Sequence, residues 1–550
     1  EEIVYINNSP DTLRSPELKL FLNIHLPVVP RELDASKDYL TSGVHIESIK
    51  ANGVAIDWPA DYQSTSMGFR LPKALPPGDS VLLNVQWNFD LSLQSGREGM
   101  IDSTSFFLAY FYPRLAVFDD YNGWDKSDFT DGHEFYNDFN DYTVTVQAPK
   151  NYVVWGTGTL HQPEKLLQPE FAARYAKSLK ADGKIRIASR EEMAAGKVTA
   201  QAEFNSWTFT STNIPDVAFG LSDHYVWDAA SVVVDEKTGR RASVQAAFND
   251  TAADYHHMVG FAGDALKWFS RNWPGIPYPY EKMTVYQGYA GMEYPMMAND
   301  ESYEDSSFSR LVANHEIAHT YMPFYMGINE TRYGFMDEGW ATALELLIGY
   351  QYLGKQQAEE LFKMFRVNNW TKDRSSDMDI PIITPGTSLT GKALSANQYG
   401  KAALGYLALK DLLGDATFKK CLHAYMDRWH GKHPTPWDFF YTFNDVNGKS
   451  LDWFWNNWFF APGYMDIGIE GVNKSVVSVR NTGGKPIPFD LEVIFADGSK
   501  TVQHCTSQVW EKNPAKATVT ISGSKAIKSA VINTGYFLDA EPADNSYTTR

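Results

Sequence analysis

The segment NHEIAHTYMPFYMGINETRYGFMDEGWATALE, from Asn314 to Glu345, sets two histidines four residues apart with a glutamate beside the first. Residues four apart share one face of a helix, so His315 and His319 predict a helix that turns two imidazoles toward one point. The apolar residues Leu311, Ile317, Met322 and Tyr325 predict that this helix runs from about Ser309 to Gly327, a residue suited to end it. Eighteen residues separate His319 from Glu338, and FMDEGWATALE opens a second helix with Asp337 and Glu338 in its first turn. The gap is long enough for the chain to leave the first helix and return a carboxylate toward the histidines. Two histidines and one carboxylate are the donors of a catalytic zinc site that keeps a fourth position for water, and Glu316 is placed to reach that water. The competing reading makes the histidines satisfied polar groups of a core helix and Glu338 a favourable charge at a helix N-terminus. Glu345, two turns further on, divides between a group that orients a ligand histidine and a plain solvated helix position.

Composition removes other classes of function. The 550 residues are 43% hydrophobic and 21% charged, ordinary for a globular chain with several domains. A formal net charge of -18, with no Lys/Arg cluster, opposes binding to nucleic acid or anionic lipid. Apolar runs such as ALELLIGY fall short of the roughly 18 to 20 residues that cross a bilayer, so no transmembrane segment is expected. The start, EEIVYINNSPDTL, lacks a basic and apolar leader. The expectation is a soluble protein, either exported with its signal peptide absent from this numbering or cytoplasmic. Cys421 and Cys505 fall in different predicted domains and offer neither a disulfide framework nor a cysteine metal site.

Periodicity divides the chain in three. Residues 1–222 alternate in short segments such as VLLNVQWNFDL and YTVTVQAP, bounded by Pro, Gly, Asn and Asp, which predicts an antiparallel β domain. Residues 223–461 take helical periodicity, with Val259, Ala262, Leu266 and Phe269 on one face of an early helix. Residues 462–550 return to alternation and suffice for a small β-sandwich. The expected fold class is α+β and multidomain.

These motifs resemble the aminopeptidase N family of gluzincin zinc peptidases, whose ligands are HExxH and a Glu eighteen residues later, often followed by Gly, an aromatic residue and Ala. HEIAH and EGWA fit. The family's upstream GxMEN segment is matched by Gly291, Met292 and Glu293 in YAGMEYP, with Tyr294 in place of Asn. Its YxKGA segment is matched by Tyr399 and Lys401 in QYGKAALGY, with Ala402 in place of Gly. FYPRLAVFDDYNGW is similar to bacterial members. The resemblance spans most of residues 100 to 460 and implies a saddle-like N-terminal β domain, then a thermolysin-like α-rich catalytic domain. Too few residues follow for the large C-terminal helical domain of many members.

The resemblance implies one zinc ion per chain on His315, His319 and Glu338, and hydrolysis of the N-terminal bond of peptides. It makes Glu316 the general base, Tyr399 the donor to the oxyanion, and Glu293 the anchor of the substrate's free amine, with Gly291 and Met292 pairing to substrate backbone. Tyr110 occupies the place where relatives add a Gln or Glu to the amine site; it lines the first side-chain pocket with Tyr294 or simply packs. Two rival functions remain at this stage: a thermolysin-like endopeptidase with the same ligands and no amine anchor, and a catalytically silent binding protein on the same fold.

Overall fold

The computed structural model describes residues 1–32, 34–59, 62–94, 96–372, 379–523 and 525–549. The chain separates into two compact units, Glu1–Arg271 with Pro277–Thr331, and Asn272–Ile276 with Arg332–Arg550.

The first unit begins with a four-stranded antiparallel sheet in which Ser80–Phe89 lies between Glu2–Ile6 and Val44–Ala51. Alternation along Ser80–Phe89 sends Val81, Leu83 and Val85 into a small core with Leu18, Ile49 and Leu71, as a one-sided sheet requires. A larger core gathers Phe107, Trp155, Trp207, Trp227 and Tyr286. Residues 163–194 depart from the all-β expectation, carrying helices Pro163–Leu166, Pro169–Ser178 and Arg190–Ala194 between strands. Two start with Pro in the first turn, and the third is closed by a capping box between Ser189 and Glu192.

A six-stranded mixed sheet carries the first half of the candidate site. Its strands are β1 (Ile185–Ala188), β2 (Val226–Asp235), β3 (Arg240–Phe248), β4 (Lys282–Gln287), β5 (Gly291–Tyr294) and β6 (Met297–Asp300). They run in the order β1-β2-β3-β4-β6-β5, which leaves β5 at the edge. β4 is parallel to both β3 and β6, and β5 folds back antiparallel with Glu293 opposite Ala298. Helix α1 (Met258–Arg271) buries Val259, Ala262, Leu266 and Phe269 and packs on β2; helix α2 (Ser306–Ala318) packs on α1 and on the β5–β6 hairpin.

Helix α2 starts at the Asp305 cap, whose carboxylate accepts from Ser307 N at 2.9 Å, and ends earlier than periodicity predicts. Pro323 is the cause. It has no N–H to continue the ladder and disfavours helical geometry in the residue before it, and Met322 is extended at φ -133°, ψ 110°. His319 therefore caps α2.

In the second unit, helix α3 (Glu338–Tyr352) opens on Glu338. Helix α4 (Ala402–Trp429) breaks at Gly414, where φ is 70°. Helix α5 (Pro436–Asn447) is closed by the Thr435–Asp438 capping box and ended by Gly448 in the left-handed region. The remainder forms two antiparallel sheets, of three and four strands, whose alternate residues Val477, Val479, Leu491, Val493 and Ile532 are buried. These elements give the expected α+β class, with β structure at both ends of a helical region. Among the described residues no helix is long and apolar enough to cross a membrane.

Candidate functional site

The first unit brings Glu293, Glu316 and His319 together: each offers a polar atom within 4.8 Å of the others, and all three are buried. α2 supplies the last two, and edge strand β5 supplies Glu293. The His315 and His319 rings stand 4.9 Å apart at 81°, on one side of the helix end. His319 Nδ1 lies 3.2 Å from Met322 O, and a carbonyl only accepts, so the proton sits on Nδ1 and the lone pair on Nε2. That is the tautomer a metal ligand needs, and the break at Met322 turns the carbonyl to the ring. Glu293 Oε1 is 4.0 Å from the same nitrogen.

Gly291 has a steric reason. A Cβ there would sit 3.3 Å from Glu316 Oε1 and 3.6 Å from Val312 Cγ1, so a side chain would crowd the carboxylate. Asp300, opposite Gly291 in the hairpin, is buried near Glu316 and His315. Burial, then the Glu316 charge, pushes its carboxyl well above its ordinary value.

Two further carboxylates reach Glu293 from distant segments. Glu134 and Glu330 each place an oxygen within 4.8 Å of it. Glu134 Oε1 accepts from Arg97 at 2.8 Å, and Arg97 also contacts the Met292 sulfur at 3.1 Å. Glu330 accepts from Phe135 N at 3.3 Å, and the Thr331 hydroxyl donates to Glu134 O at 2.8 Å. No local pattern marks either residue; EFYNDFNDY reads only as the approach to a strand.

Tyr110 is buried and left-handed at φ 59°, stacked on Phe135 at 4.1 Å and 5.6 Å from the Tyr294 ring. The Tyr294 hydroxyl donates to Arg97 O. Both tyrosines lie in one aromatic cluster behind β5.

The second unit joins Glu338, Tyr399 and Glu345 through Arg366. The Tyr399 hydroxyl donates to Glu338 Oε1 at 2.6 Å. Arg366 lies over the Tyr399 ring, its guanidinium carbon 5.1 Å from the centroid, and donates to Glu345 Oε2 at 2.6 Å. Burial opposes the Arg366 charge, but the Glu345 carboxylate outweighs it and holds the guanidinium above its ordinary value.

Small residues make these approaches possible. A Cβ on Gly400 would lie 1.7 Å from Arg366 O, and one on Gly339 would lie 2.6 Å from the Ala402 methyl. Gly400 thus admits the Arg366 backbone, and Gly339 admits the turn that carries Tyr399. Lys401 is buried, donates to Ile380 O, and has its amine pushed down to about 8 by burial.

Residues 278–458 match the peptidase family M1 domain. No curated protein matches the chain. Among solved structures, a two-domain M1 zinc metallopeptidase variant bound to L-arginine is 14% identical, covering 81% of this chain and 86% of that one at a TM-score of 0.52. Legionella pneumophila aminopeptidase A in complex with aspartic acid is 13% identical, covering 96% and 54% at 0.59. An M1 zinc metallopeptidase variant from Deinococcus radiodurans, bound to a Tyr-Ser-Ala substrate, is 15% identical, covering 83% and 88% at 0.50. At such identities the likeness is one of fold.

Proposed function

We propose that this zinc metallopeptidase, whose residues 278–458 match the M1 peptidase domain, is an aminopeptidase that removes the N-terminal residue of peptides. The observation that carries this reading is Glu293, a buried carboxylate on an edge strand beside Glu316 and His319. An ammonium entering such a cleft is costly unless paired, and Glu293 supplies the carboxylate to pair it. Glu134 and Glu330 add negative charge to the same place. Crystal complexes of similar folds with an amino acid or a tripeptide agree with a peptide substrate.

We assign the zinc ion to His315, His319 and Glu338, which are buried and are donors of the types zinc takes. Bound there, zinc would supply a Lewis acid for the scissile carbonyl and would make water more acidic. Glu316 takes the proton of the attacking water and returns it to the leaving amine. The Tyr399 hydroxyl has one proton to donate, so it leaves Glu338 to reach the developing oxyanion. Arg366, tied to Glu345, keeps the ring in place as it does so. We assign Glu345 to this support of Tyr399 through Arg366. The outer edge of β5 offers Gly291 and Met292 backbone groups to the substrate in strand pairing, and Tyr110 and Tyr294 form the apolar floor behind the first residue. The domain division that goes with this function is 1–222, 223–461 and 462–550.

Hydrolysis of a panel of aminoacyl anilides, each with a free and an acetylated amine, tests the reading. The expected result is zinc-dependent cleavage of the free forms only. Cleavage of acetylated peptides within the chain points to an endopeptidase, and zinc binding with no hydrolysis points to a silent binding protein.

A further inference from the structure

Arg97 lies just before the strand Gly99–Asp102, 195 residues from Met292 in sequence, yet it grips β5 on both sides of Glu293. Its guanidinium donates to the Met292 sulfur at 3.1 Å, and its carbonyl accepts from the Tyr294 hydroxyl. Asn299, opposite Met292 in the hairpin, donates to Gly96 O at 3.2 Å and to Arg97 O at 3.3 Å. A Cβ on Gly288 would lie 1.8 Å from Asn299 Oδ1, so that glycine leaves the room the amide occupies. Side chains alternate along a strand, so holding Met292 and Tyr294 fixes the face that Glu293 presents.

The same guanidinium binds a carboxylate beside Glu293. Nη1 donates to Glu134 Oε1 at 2.8 Å, and Nε donates to Asp131 Oδ1 at 3.1 Å. A rigid fork with two partners has little freedom to turn, so Glu134 is held by one oxygen in a set direction. Its other oxygen, Oε2, is buried with no hydrogen-bond partner among the described residues, and so is Asn137 Oδ1. Glu134, Asn137, Glu293 and Glu330 line one cavity of about 10 Å³, room for a single group the size of water or an ammonium. Buried acceptors are costly to leave unmet, and a primary ammonium brings three N–H donors and a charge of the right sign.

We propose that Arg97 is a positioning residue of the amine site: it fixes Glu134 beside Glu293, and the two carboxylates share the substrate's ammonium. This rests on the aminopeptidase reading and deepens it with a second carboxylate from a distant segment of the first unit. Glu134 touches the substrate, and Arg97 acts through it. The single charge of Arg97 is divided between Glu134 and Asp131, so these two with Glu293 leave a net negative surface for the incoming amine. An acetylated N-terminus offers one N–H and no charge, so the pair of carboxylates selects the free amine more sharply than either alone.

The test is steady-state kinetics on a free aminoacyl anilide and its acetylated form, with zinc content measured for each variant of the full chain. Glu134→Gln keeps the shape and removes the charge. It should raise KM for the free anilide about tenfold or more, the worth of a hydrogen bond to a charged group, with kcat changed less and zinc unchanged. Arg97→Gln should raise KM as well, and Arg97→Lys, which keeps one charged donor, should recover part of the loss. Because Arg97 acts through Glu134, combining Arg97→Gln with Glu134→Gln should cost far less than the product of the two single losses. Losses that multiply in the pair, or a parent-like KM in Glu134→Gln, overturn the inference while the parent's preference for free amines stands. A parent that cleaves both forms equally removes the aminopeptidase reading itself, and this inference with it.

Discussion

The Tyr399 hydroxyl donates a 2.6 Å hydrogen bond to Glu338 Oε1, so the proposed oxyanion donor and the proposed third zinc ligand are in direct contact within one unit of the chain. A phenol has one proton, and while Glu338 accepts it the substrate oxygen cannot. In the proposed mechanism the ring stays under Arg366 and only the hydroxyl changes partner. Tyr399→Phe removes the donor and leaves the Glu338 carboxylate in place. The expected outcome is a kcat lower by about a hundredfold or more with zinc content unchanged, the size seen on deleting one oxyanion donor. Steady-state kinetics with metal analysis checks it, and a parent-like kcat would move the oxyanion role elsewhere.

Glu345 is buried against Arg366, and the pair holds Tyr399 from behind. Glu345→Ala strands a largely buried guanidinium, so it should cost about 3 kcal/mol or more of stability by denaturant unfolding. It should also lower kcat, because the Tyr399 ring loses its support. Glu345→Gln, which keeps an acceptor, should recover part of both. Equal losses in the two variants would mean that the charge itself, not the contact, is what Arg366 requires.

Gly400 faces the Arg366 carbonyl with no room for a methyl. Gly400→Ala must push two backbones apart and should lose about 1–3 kcal/mol, as overpacking does. A Tm equal to that of the parent would show that this approach is looser than described.

Metal binding and proton transfer should separate. Glu338→Ala should leave well under one zinc per chain, whereas Glu316→Gln should keep zinc and lose turnover, since an amide cannot take the proton. A chelator should abolish activity and added zinc restore it. Full zinc content in Glu338→Ala would remove that residue from the ligand set.

Much of this site can be read from spacing, because a helix turns a four-residue interval into one face and strand β5 is a contiguous run. His315, Glu316 and His319 come from that rule, and Glu293 stands beside them because β5 packs on α2. Contacts between distant segments leave no such trace. Arg366 lies between Glu345 and Tyr399, and Glu134 reaches Glu293, through folding of loops that no periodicity encodes. The early end of α2 was legible in Pro323, but apolar periodicity carried the predicted helix past it. The helices at 163–194 carried their own signals, prolines at two starts and a capping box at the third, yet short helices among strands are hidden by the alternation around them.

In the proposed function Glu293 makes this zinc peptidase an aminopeptidase by holding the substrate's charged amine. Matched peptides with free and acetylated N-termini, assayed for kcat/KM with the parent and with Glu293→Ala, test it most directly. The parent should cleave the free peptide and leave the acetylated one nearly untouched. Glu293→Ala should reduce kcat/KM for the free peptide by the equivalent of about 2 to 5 kcal/mol, the cost of truncating one partner of a buried charge pair, and so narrow the gap between the two substrates. A parent enzyme that cleaves both peptides equally, or a Glu293→Ala variant that slows both by the same factor, would remove the amine-anchor role from Glu293.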